Sequence, residues 1–488
     1  MRPEPEVRTL AELCLRRART HAAHPAVADG RGTLTYAELA ERAGAVAATL
    51  ASRGVRPGDR VALQGRNSTQ WVAAAFGVLL AGAALVPVGH GAAEVERASV
   101  LEALRPVVLL HDDDLPPAAG VTSVALGELP EHGPAAPVAA DLAASATALV
   151  LSSSGTTGAV KSVPMRHDQL LRMYAEVGAR MQIRDSDRLL VAVPLAHSFG
   201  FNGLLLVSMI AGAMVRVLPT YDRSVVPDVV RAERLTVLAG PPTIYHDLEH
   251  AGALAKARLA IAGGQTVAIG ELVHVTRGLG IREIVVGYGM TETCGTVALA
   301  SVDVRAPGEE VAMTPLGGVD VAVRDDLGHP LTGEPGRLFV RGYNVAPPYD
   351  AEAGLVSDGW LDTGDLAVLG ADGRLTVVGR RSDMVIVSGF NVHPRDVETV
   401  LAAHPGVAQV AVTGVPDRRR GQRLVAFVVQ RRAETVDLGA LDDFARQRLS
   451  AYKVPSDYHL LDELPVTSNG KLARRELRSL AARRTASR

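Results

Sequence analysis

A stretch of small and hydroxyl-bearing residues follows an apolar segment near residue 150. Residues 152–158 are all Ser, Thr or Gly, and Lys161 follows three residues later. Backbone N–H groups, hydroxyls and a nearby ammonium suit the oxygens of a polyphosphate. The stretch is not a P-loop, because Ala159 and Val160 separate Gly158 from the lysine. Taken alone, it is equally compatible with a flexible polar surface loop.

The chain uses arginine as its ordinary cation. Four of its 51 basic residues are lysines, namely Lys161, Lys256, Lys453 and Lys471. A position that keeps lysine in such a chain favours a compact, mobile ammonium over a planar guanidinium. Two of the four, Lys161 and Lys471, lie in candidate phosphate sites. This favours a phosphate-binding role for the loop near residue 150 over a flexible linker.

Two further stretches carry side chains that suit the binding of a nucleotide and of a second substrate. Residues 193–203 place His197 in an apolar, glycine-spaced turn after a predicted strand. Residues 285–295 contain the end of a predicted buried strand, which carries Tyr288. The threonine hydroxyls on either side of Glu292 follow it. An aromatic face suits a nucleobase, a hydroxyl suits phosphate and a carboxylate suits Mg²⁺. The alternatives are a packed histidine and a core tyrosine.

Two more candidates lie towards the C-terminus. Asp365, in the segment 358–366, offers a fixed acceptor for a diol such as ribose, and Lys471 lies in a Ser-Asn-Gly turn. Each is singly compatible with an ordinary turn. The five stretches together, in this order, are hard to explain as structure alone.

Composition excludes several classes of protein. The 488 residues predict two to four domains, and a net charge of −2 gives no general attraction to nucleic acid or anionic membranes. Two cysteines, Cys14 and Cys294, exclude a disulfide framework and favour the cytoplasm. The N-terminus has no apolar core typical of a signal peptide. Residues 71–89 predict a buried helix and strand, not a membrane span. The acidic run 111–114 predicts a solvated turn in preference to a metal site.

Periodicity predicts an α/β fold. Residues 35–53 form a predicted helix with a capping box, and strands then alternate with helices, as in a parallel, doubly wound sheet. Residues 77–88 and 207–218 repeat a helix–glycine–strand pattern, which predicts two similar α/β subdomains. A compact α+β segment begins near residue 384. The arginine-rich tail after it favours a solvated helix end over a nucleic-acid site.

The ordered motifs resemble those of the adenylate-forming superfamily, which contains acyl- and aryl-CoA synthetases, peptide-synthetase adenylation domains and firefly luciferase. The resemblance spans residues 9–477 and rests on segments 153–161, 288–292, 363–365, 379–383 and 469–471. It implies an N-terminal domain (1–379) of two doubly wound subdomains and a small β-rich subdomain. A hinge (380–383) would join it to a mobile α+β domain (384–488).

The resemblance implies a role for each matching residue. Tyr288 would pack on adenine, Thr291 would contact the α-phosphate, and Glu292 with Thr157 would bind Mg²⁺. Asp365 would accept the ribose hydroxyls. The implied ATP-binding residues are Ser153, Ser154, Thr156, Thr157, Lys161, Tyr288, Gly289, Met290, Thr291, Asp365 and Arg380.

The implied chemistry is attack of a carboxylate on the α-phosphorus, with pyrophosphate leaving. Lys471 would bridge the carboxylate and the phosphate, and the implied catalytic set is Lys471, His197, Thr291 and Glu292. Rotation at the hinge residue Ser382 would then bring Gly389 and Phe390 to the site for attack by the CoA thiol. The implied cofactors are ATP, Mg²⁺ and CoA.

Several positions depart from the superfamily pattern. Val160 replaces a proline and Ser162 replaces a glycine, and neither change removes a phosphate ligand. Ile386 and Asn391 stand where related CoA ligases carry a lysine and a glutamine that assist the thiol step. Adenylation is therefore more strongly indicated than transfer to CoA.

The substrate expected from the sequence is an aryl or medium-length acyl acid. The segment after His197 lacks the aspartate that relatives use to bind an α-amine. The expected pocket is mostly apolar, and its candidate residues are His197, Phe199, Phe201, Gly203, Gly263, Gly264, Gln265 and Gly289. Two alternatives stay open: an enzyme that delivers to a carrier protein or activates another oxyanion, and a nucleotide-binding protein without catalysis. The expected assembly is a monomer or homodimer.

Overall fold

The computed structural model describes residues 7–92, 94–133, 137–154, 160–240, 242–253, 256–263, 269–307, 311–346, 356–387, 390–392, 394–417, 421–431, 436–449, 451–467 and 472–486. In these residues no helix is both long enough and apolar enough to cross a membrane. The segment 71–89 forms a buried helix followed by a strand, as predicted.

The first part of the chain builds a six-stranded sheet in the order β6-β5-β3-β4-β7-β8. Its strands are parallel except for the last pair. The elements are α1 (Leu10–Thr20), β1 (Pro25–Ala28), β2 (Thr33–Thr35), α2 (Tyr36–Ser52), β3 (Arg60–Gly65), α3 (Thr69–Leu80), β4 (Ala84–Gly89), α4 (Glu94–Leu104), β5 (Val108–His111), β6 (Thr122–Ala125), β7 (Thr147–Ser154) and β8 (Val160–Arg166).

The next part builds a nine-stranded sheet. Its elements are α5 (His167–Arg180), β9 (Arg188–Val191), a π-helix (Phe199–Leu206), α6 (Val207–Ala211), β10 (Met214–Val217), α7 (Val226–Ala232), β11 (Val237–Gly240), α8 (Pro242–His250), β12 (Leu259–Gly263), α9 (Ile269–Gly278), β13 (Glu283–Met290), β14 (Gly295–Asp303) and β15 (Thr314–Pro315). The strand order is β15-β14-β13-β12-β11-β9-β10-β1-β2, so the N-terminal hairpin β1–β2 completes this second sheet.

The predicted repeat is present in both sheets. Helix α3 leads through Gly82 into β4, and α6 leads through Gly212 into β10. Both glycines have left-handed backbone angles, with φ of +76° and +80°. Because residues with a Cβ rarely adopt this conformation, glycine ends each helix and redirects the chain into the strand. The two similar α/β subdomains are therefore confirmed.

Two smaller sheets follow. The β-rich sheet has the order β16-β17-β19-β18, with β20 paired to β19. The C-terminal sheet has the order β22-β21-β24-β23, with β25 paired to β24. The elements are β16 (Val319–Arg324), β17 (Pro335–Gly342), β18 (Val356–Ser357), β19 (Trp360–Leu369), β20 (Leu375–Arg380), β21 (Val385–Val387), β22 (Phe390–Val392), α10 (Pro394–Ala402), β23 (Val407–Asp417), β24 (Gly421–Gln430), α11 (Leu438–Arg446), β25 (Asp457–Leu460) and α12 (Arg474–Ala486).

A continuous core holds the first three sheets together. One cluster of buried apolar residues draws on helices α1, α2, α3 and α5 and on strands of all three sheets. From Trp71 to Leu80 helix α3 is apolar and buried on every side, as expected of a helix enclosed between layers. The C-terminal sheet has separate clusters of its own.

Candidate active site

Strand β13 ends in a single 3-10 turn, Thr291–Thr293, and hydrogen bonds of its own Thr293 hydroxyl hold it. The Thr293 hydroxyl accepts the backbone N–H of Met290 at 3.2 Å and lies 2.8 Å from the carbonyl oxygen of Gly295. Thr293 is fully buried, whereas Thr291 and Glu292 are half-buried. The turn therefore leaves a hydroxyl and a carboxylate accessible at the carboxyl end of the strand.

Two glycines allow the β13–β14 hairpin to close tightly around this turn. A Cβ atom on Gly289 would lie 1.8 Å from the carbonyl oxygen of Gly295. Gly295 has a φ of +121°, and a Cβ there would lie 1.9 Å from the hydroxyl of Tyr174. A larger residue at Gly289 would force the hairpin backbone apart, and one at Gly295 would displace the side chain of Tyr174.

Tyr288 and Asp365 meet although 77 residues separate them. The Tyr288 hydroxyl donates to Oδ2 of Asp365 at 2.6 Å. Asp365 is 6% exposed and stands opposite Arg380 in the pairing of β19 with β20. The structure thus brings the predicted adenine residue and the predicted ribose residue together from two different sheets.

The strand that carries Asp365 is supported by its own threonine. The Thr363 hydroxyl donates to the carbonyl of Leu338 at 2.9 Å and accepts the N–H of Asp365 at 3.1 Å. Between them Gly364 has a φ of +72°, a value that favours glycine. The Thr-Gly-Asp sequence therefore fixes the backbone from which the carboxylate extends.

The turn that carries His197 is held by a residue that the sequence interpretation missed. Asn67, after β3, donates to the carbonyl of Val193 at 2.9 Å and accepts the N–H of Leu195 at 2.8 Å. Asn67 is 5% exposed. Its side chain connects the carboxyl ends of the two large sheets. One indication of this role was present in the sequence, a polar residue soon after a mostly apolar strand.

A π-helix follows this turn and shapes the candidate acid pocket. π-helices are rare and recur at functional sites. The half-buried ring of Phe199 lies 3.2 Å from the position that a Cβ on Gly203 would occupy, and 3.7 Å from the corresponding position on Gly263. The two glycines therefore leave room beside the ring. Phe201 instead is fully buried against Trp71, with ring centroids 6.1 Å apart, so it supports the pocket from the core and does not line it.

The predicted phosphate loop joins two antiparallel strands. The register of β7 with β8 places Ser153 opposite Lys161 and Ser154 opposite Val160. The pairing therefore brings the backbone of Lys161 back beside that of Ser153.

Comparison with known proteins identifies the family. The sequence matches the AMP-binding enzyme family over residues 14–350 and the AMP-binding enzyme C-terminal domain over residues 396–471. The chain belongs to the AMP-binding enzymes.

Its relatives align over nearly their whole length. A feruloyl-CoA synthase of Amycolatopsis sp. is 34% identical over 489 residues, covering 95% of this chain and 97% of that protein. A long-chain-fatty-acid–CoA ligase of Yersinia pestis is 30% identical over 538 residues, covering 96% and 94%. The crystal structure of the anthranilate CoA ligase AuaEII in complex with anthranoyl-AMP superposes with a TM-score of 0.86 at 26% identity, covering 97% of this chain and 98% of that chain.

Part of this AMP-binding enzyme's predicted site lies outside the described residues. These positions are Thr156, Thr157, Gly264, Gln265, Gly389 and Lys471. For Ser153, Ser154, Lys161, Arg380, Ser382 and Phe390 the structure describes the backbone alone. Their predicted roles therefore stay predictions.

The acidic run 111–114 forms a hydrogen-bonded turn. Asp112 accepts the N–H of Arg66 at 2.8 Å, and the Arg66 guanidinium lies 2.8 Å from Asp114. This hydrogen bond lowers the pKa of Asp114. Although carboxylates of the run and His90 lie close enough to share an ion, Arg66 already supplies the positive charge. The geometry supports the predicted turn.

Proposed function

We propose that this protein uses ATP to activate an aryl or medium-length acyl acid and transfers the acyl group to CoA. A carboxylate oxygen bonds to the α-phosphorus of ATP as the bond to pyrophosphate breaks. The CoA thiol then attacks the acyl carbon, AMP leaves and a thioester forms. The contact between Tyr288 and Asp365 carries the proposal, because it joins a nucleobase face to a diol acceptor beside the Thr291–Glu292 turn.

In this proposal separate residues bind the nucleoside and the phosphates. The ring of Tyr288 offers a face to adenine, and the carboxylate of Asp365 accepts the ribose hydroxyls. Thr291 follows β13 directly and donates to the α-phosphate. Lys161, carried back by β8, neutralises the pyrophosphate that leaves, and Lys471 stabilises the charge on the bond being made.

Mg²⁺ fits the donors at the end of β13. Glu292 offers a half-buried carboxylate there, and hard oxygen ligands are those that Mg²⁺ prefers. Glu292 with the hydroxyl of Thr157 would hold the ion. Bound there, Mg²⁺ would neutralise phosphate charge and orient the triphosphate.

The acid class follows from the pocket beside the π-helix. Phe199 provides an aromatic wall, and Gly203 and Gly263 leave space next to it. Such a pocket suits a planar ring or an unbranched chain. The segment 193–203 contains no Asp or Glu that could bind an α-amine. The relative named for a feruloyl product supports the aryl part of this range.

The proposal includes the division of the chain at residues 380–383. A 3-10 turn, Arg381–Asp383, joins β20 of one sheet to β21 of the next. Residues 1–379 would bind ATP and acid, and residues 384–488 would rotate about Ser382 to exchange the Lys471 loop for the segment of Gly389 and Phe390. This exchange would separate adenylation from thiol attack.

We place the reaction in the cytoplasm. Cys14 and Cys294 are both free and buried, as suits a reducing compartment. Fractionation of cells that express the tagged chain tests this location. Recovery with membranes or outside the cell would contradict it.

A panel of acids tests the activity. Purified protein with ATP and Mg²⁺ should release pyrophosphate with cinnamate-type, benzoate-type or medium-chain acids, and should form a thioester when CoA is present. α-Amino acids serve as the matched negative class. No release with any acid would reject the proposal, and release without a thioester would favour delivery to a carrier protein.

A further inference from the structure

The Tyr288 hydroxyl makes a bond that packing of its ring on adenine does not require. The O–H···O distance to Asp365 is 2.6 Å, within the range of hydrogen bonds to a charged acceptor. The partner is 6% exposed, so its carboxylate is largely shielded from water. In such surroundings a hydrogen bond to the ionised form has more effect than it would at the surface.

The bond also joins two sheets at the nucleotide site. Tyr288 lies on β13 of the nine-stranded sheet, and Asp365 lies on β19 of the β-rich sheet. A second link runs nearby, from the backbone N–H of Ala346 to the carbonyl of Glu292 at 2.9 Å. The two contacts hold the β-rich sheet against the end of β13, and the Tyr288 contact acts directly on the carboxylate of Asp365.

A carboxylate that receives a vicinal diol must present its oxygens in one fixed plane. Each carboxylate oxygen has two lone pairs, and Tyr288 occupies one position on Oδ2. A torsion between an sp³ and an sp² carbon, such as χ2 of Asp, is broad, so an unanchored carboxylate would sample many orientations. The hydrogen bond from Tyr288 to Oδ2 restricts that freedom before the nucleotide arrives.

We infer that the Tyr288 hydroxyl is a positioning group for Asp365 and that it sets the preference of this site for ribonucleotides over deoxyribonucleotides. The inference rests on the proposed nucleotide site. It assigns to Tyr288 a second role, which phenylalanine could not fill. The ring packs on the base, and the hydroxyl orients the group that reads the sugar.

Binding of nucleotides by calorimetry, with Mg²⁺ and without acid or CoA, tests the inference. The ligands are ATP, 2′-deoxy-ATP, 3′-deoxy-ATP and 2′,3′-dideoxy-ATP. The Tyr288→Phe variant should bind ATP roughly tenfold more weakly, the effect of one hydrogen bond to a charged group. It should bind the dideoxy nucleotide as the wild type does. Tyr288→Phe should add little to Asp365→Asn, because the two groups act through one contact.

Tyr221→Phe is the matched control, since the Tyr221 hydroxyl also donates to a carboxylate, that of Asp247, on the exposed surface. It should leave all four affinities unchanged. Equal weakening of all four nucleotides by Tyr288→Phe, or effects that add to those of Asp365→Asn, would overturn the inference. Failure of the wild type to bind ATP would instead reject the proposed function.

Discussion

At the scale of single residues, the site depends on buried hydroxyls that hold short turns. Thr293 satisfies the N–H of Met290 within the turn that presents Thr291 and Glu292. Thr363 plays the same part for the backbone of Asp365. Neither threonine is expected to touch substrate. Both hold the backbone of residues that we propose contact the substrate.

Replacing Thr293 by valine tests this supporting role. The change keeps the shape of the side chain but leaves the N–H of Met290 unpaired, which costs about 1–3 kcal/mol. We expect a lower free energy of unfolding and a several-fold higher KM for ATP. Thr276→Val is the control, because Thr276 is equally buried and its hydroxyl donates to Leu272 within α9. If both variants raise the KM for ATP alike, the turn has no special role.

At the scale of elements, the sequence predicted some parts of the structure far better than others. Helix α2 carries its own start signal, because Thr35 and Glu38 form a capping box. The π-helix after His197 carries no such signal. Its path depends on Asn67, which is distant in sequence. It depends also on Gly200, because a Cβ there would lie 2.2 Å from the carbonyl oxygen of Pro194. Local patterns cannot reveal contacts of this range.

Asn67 variants test how the His197 turn is held. Asn67→Ala leaves the carbonyl of Val193 and the N–H of Leu195 without their partner, and we expect KM for the acid to rise roughly tenfold. Asn67→Asp keeps the acceptor for Leu195 but turns a carboxylate oxygen towards the carbonyl of Val193 in a buried position, so it should raise KM for the acid at least as much as Asn67→Ala. Steady-state kinetics with the best acid of the panel measure both. A KM for the acid that is unchanged in Asn67→Ala would contradict this account.

The contact between α1 and α5 should make the free energy of unfolding depend on pH. Nδ1 of His167 accepts the N–H of Leu10 at 3.1 Å, and burial lowers the pKa of His167 to about 4, although Asp168 and Glu12 act in the opposite direction. Below pH 6.5 the unfolded chain therefore binds a proton that the folded chain does not. Stability falls as the pH drops towards 4, by about 3 kcal/mol at most.

Unfolding by denaturant between pH 7 and pH 4 measures this effect. The His167→Gln variant should lose less free energy of unfolding over that interval than the wild type. His24→Gln, at an exposed position, should follow the wild type. Equal pH slopes for wild type and His167→Gln would show that this histidine is not responsible.

At the scale of the whole molecule, the order of the motifs was enough to predict the family, the sheets and the order of those sheets along the chain. The contacts between the predicted hinge and helix α12 were not predicted. Asp383 follows Ser382 and lies 2.9 Å from Arg478 and 3.5 Å from Arg474, both on α12. These ion pairs form between segments about 90 residues apart, and charge alone does not specify which arginine pairs with which acid.

The Asp383 cluster should matter for one half-reaction only. Helix α12 begins three residues after Lys471, and the ion pairs hold the first turns of this helix, which follows the residue that we propose acts in adenylation. Asp383→Asn should slow pyrophosphate release several-fold and leave thioester formation from a supplied acyl-adenylate unchanged. Asp303→Asn, which removes an exposed pair with Arg305, is the control. Equal slowing of both half-reactions would contradict this role.

The path of one oxygen atom tests the central claim most directly. The acid found by the panel is labelled with ¹⁸O in both carboxylate oxygens and converted with ATP, Mg²⁺ and CoA. If the carboxylate attacks the α-phosphorus, mass spectrometry should find one labelled oxygen in AMP and the other in the thioester. Label in pyrophosphate, or AMP without label, would contradict an acyl-adenylate and with it the assignment of the site.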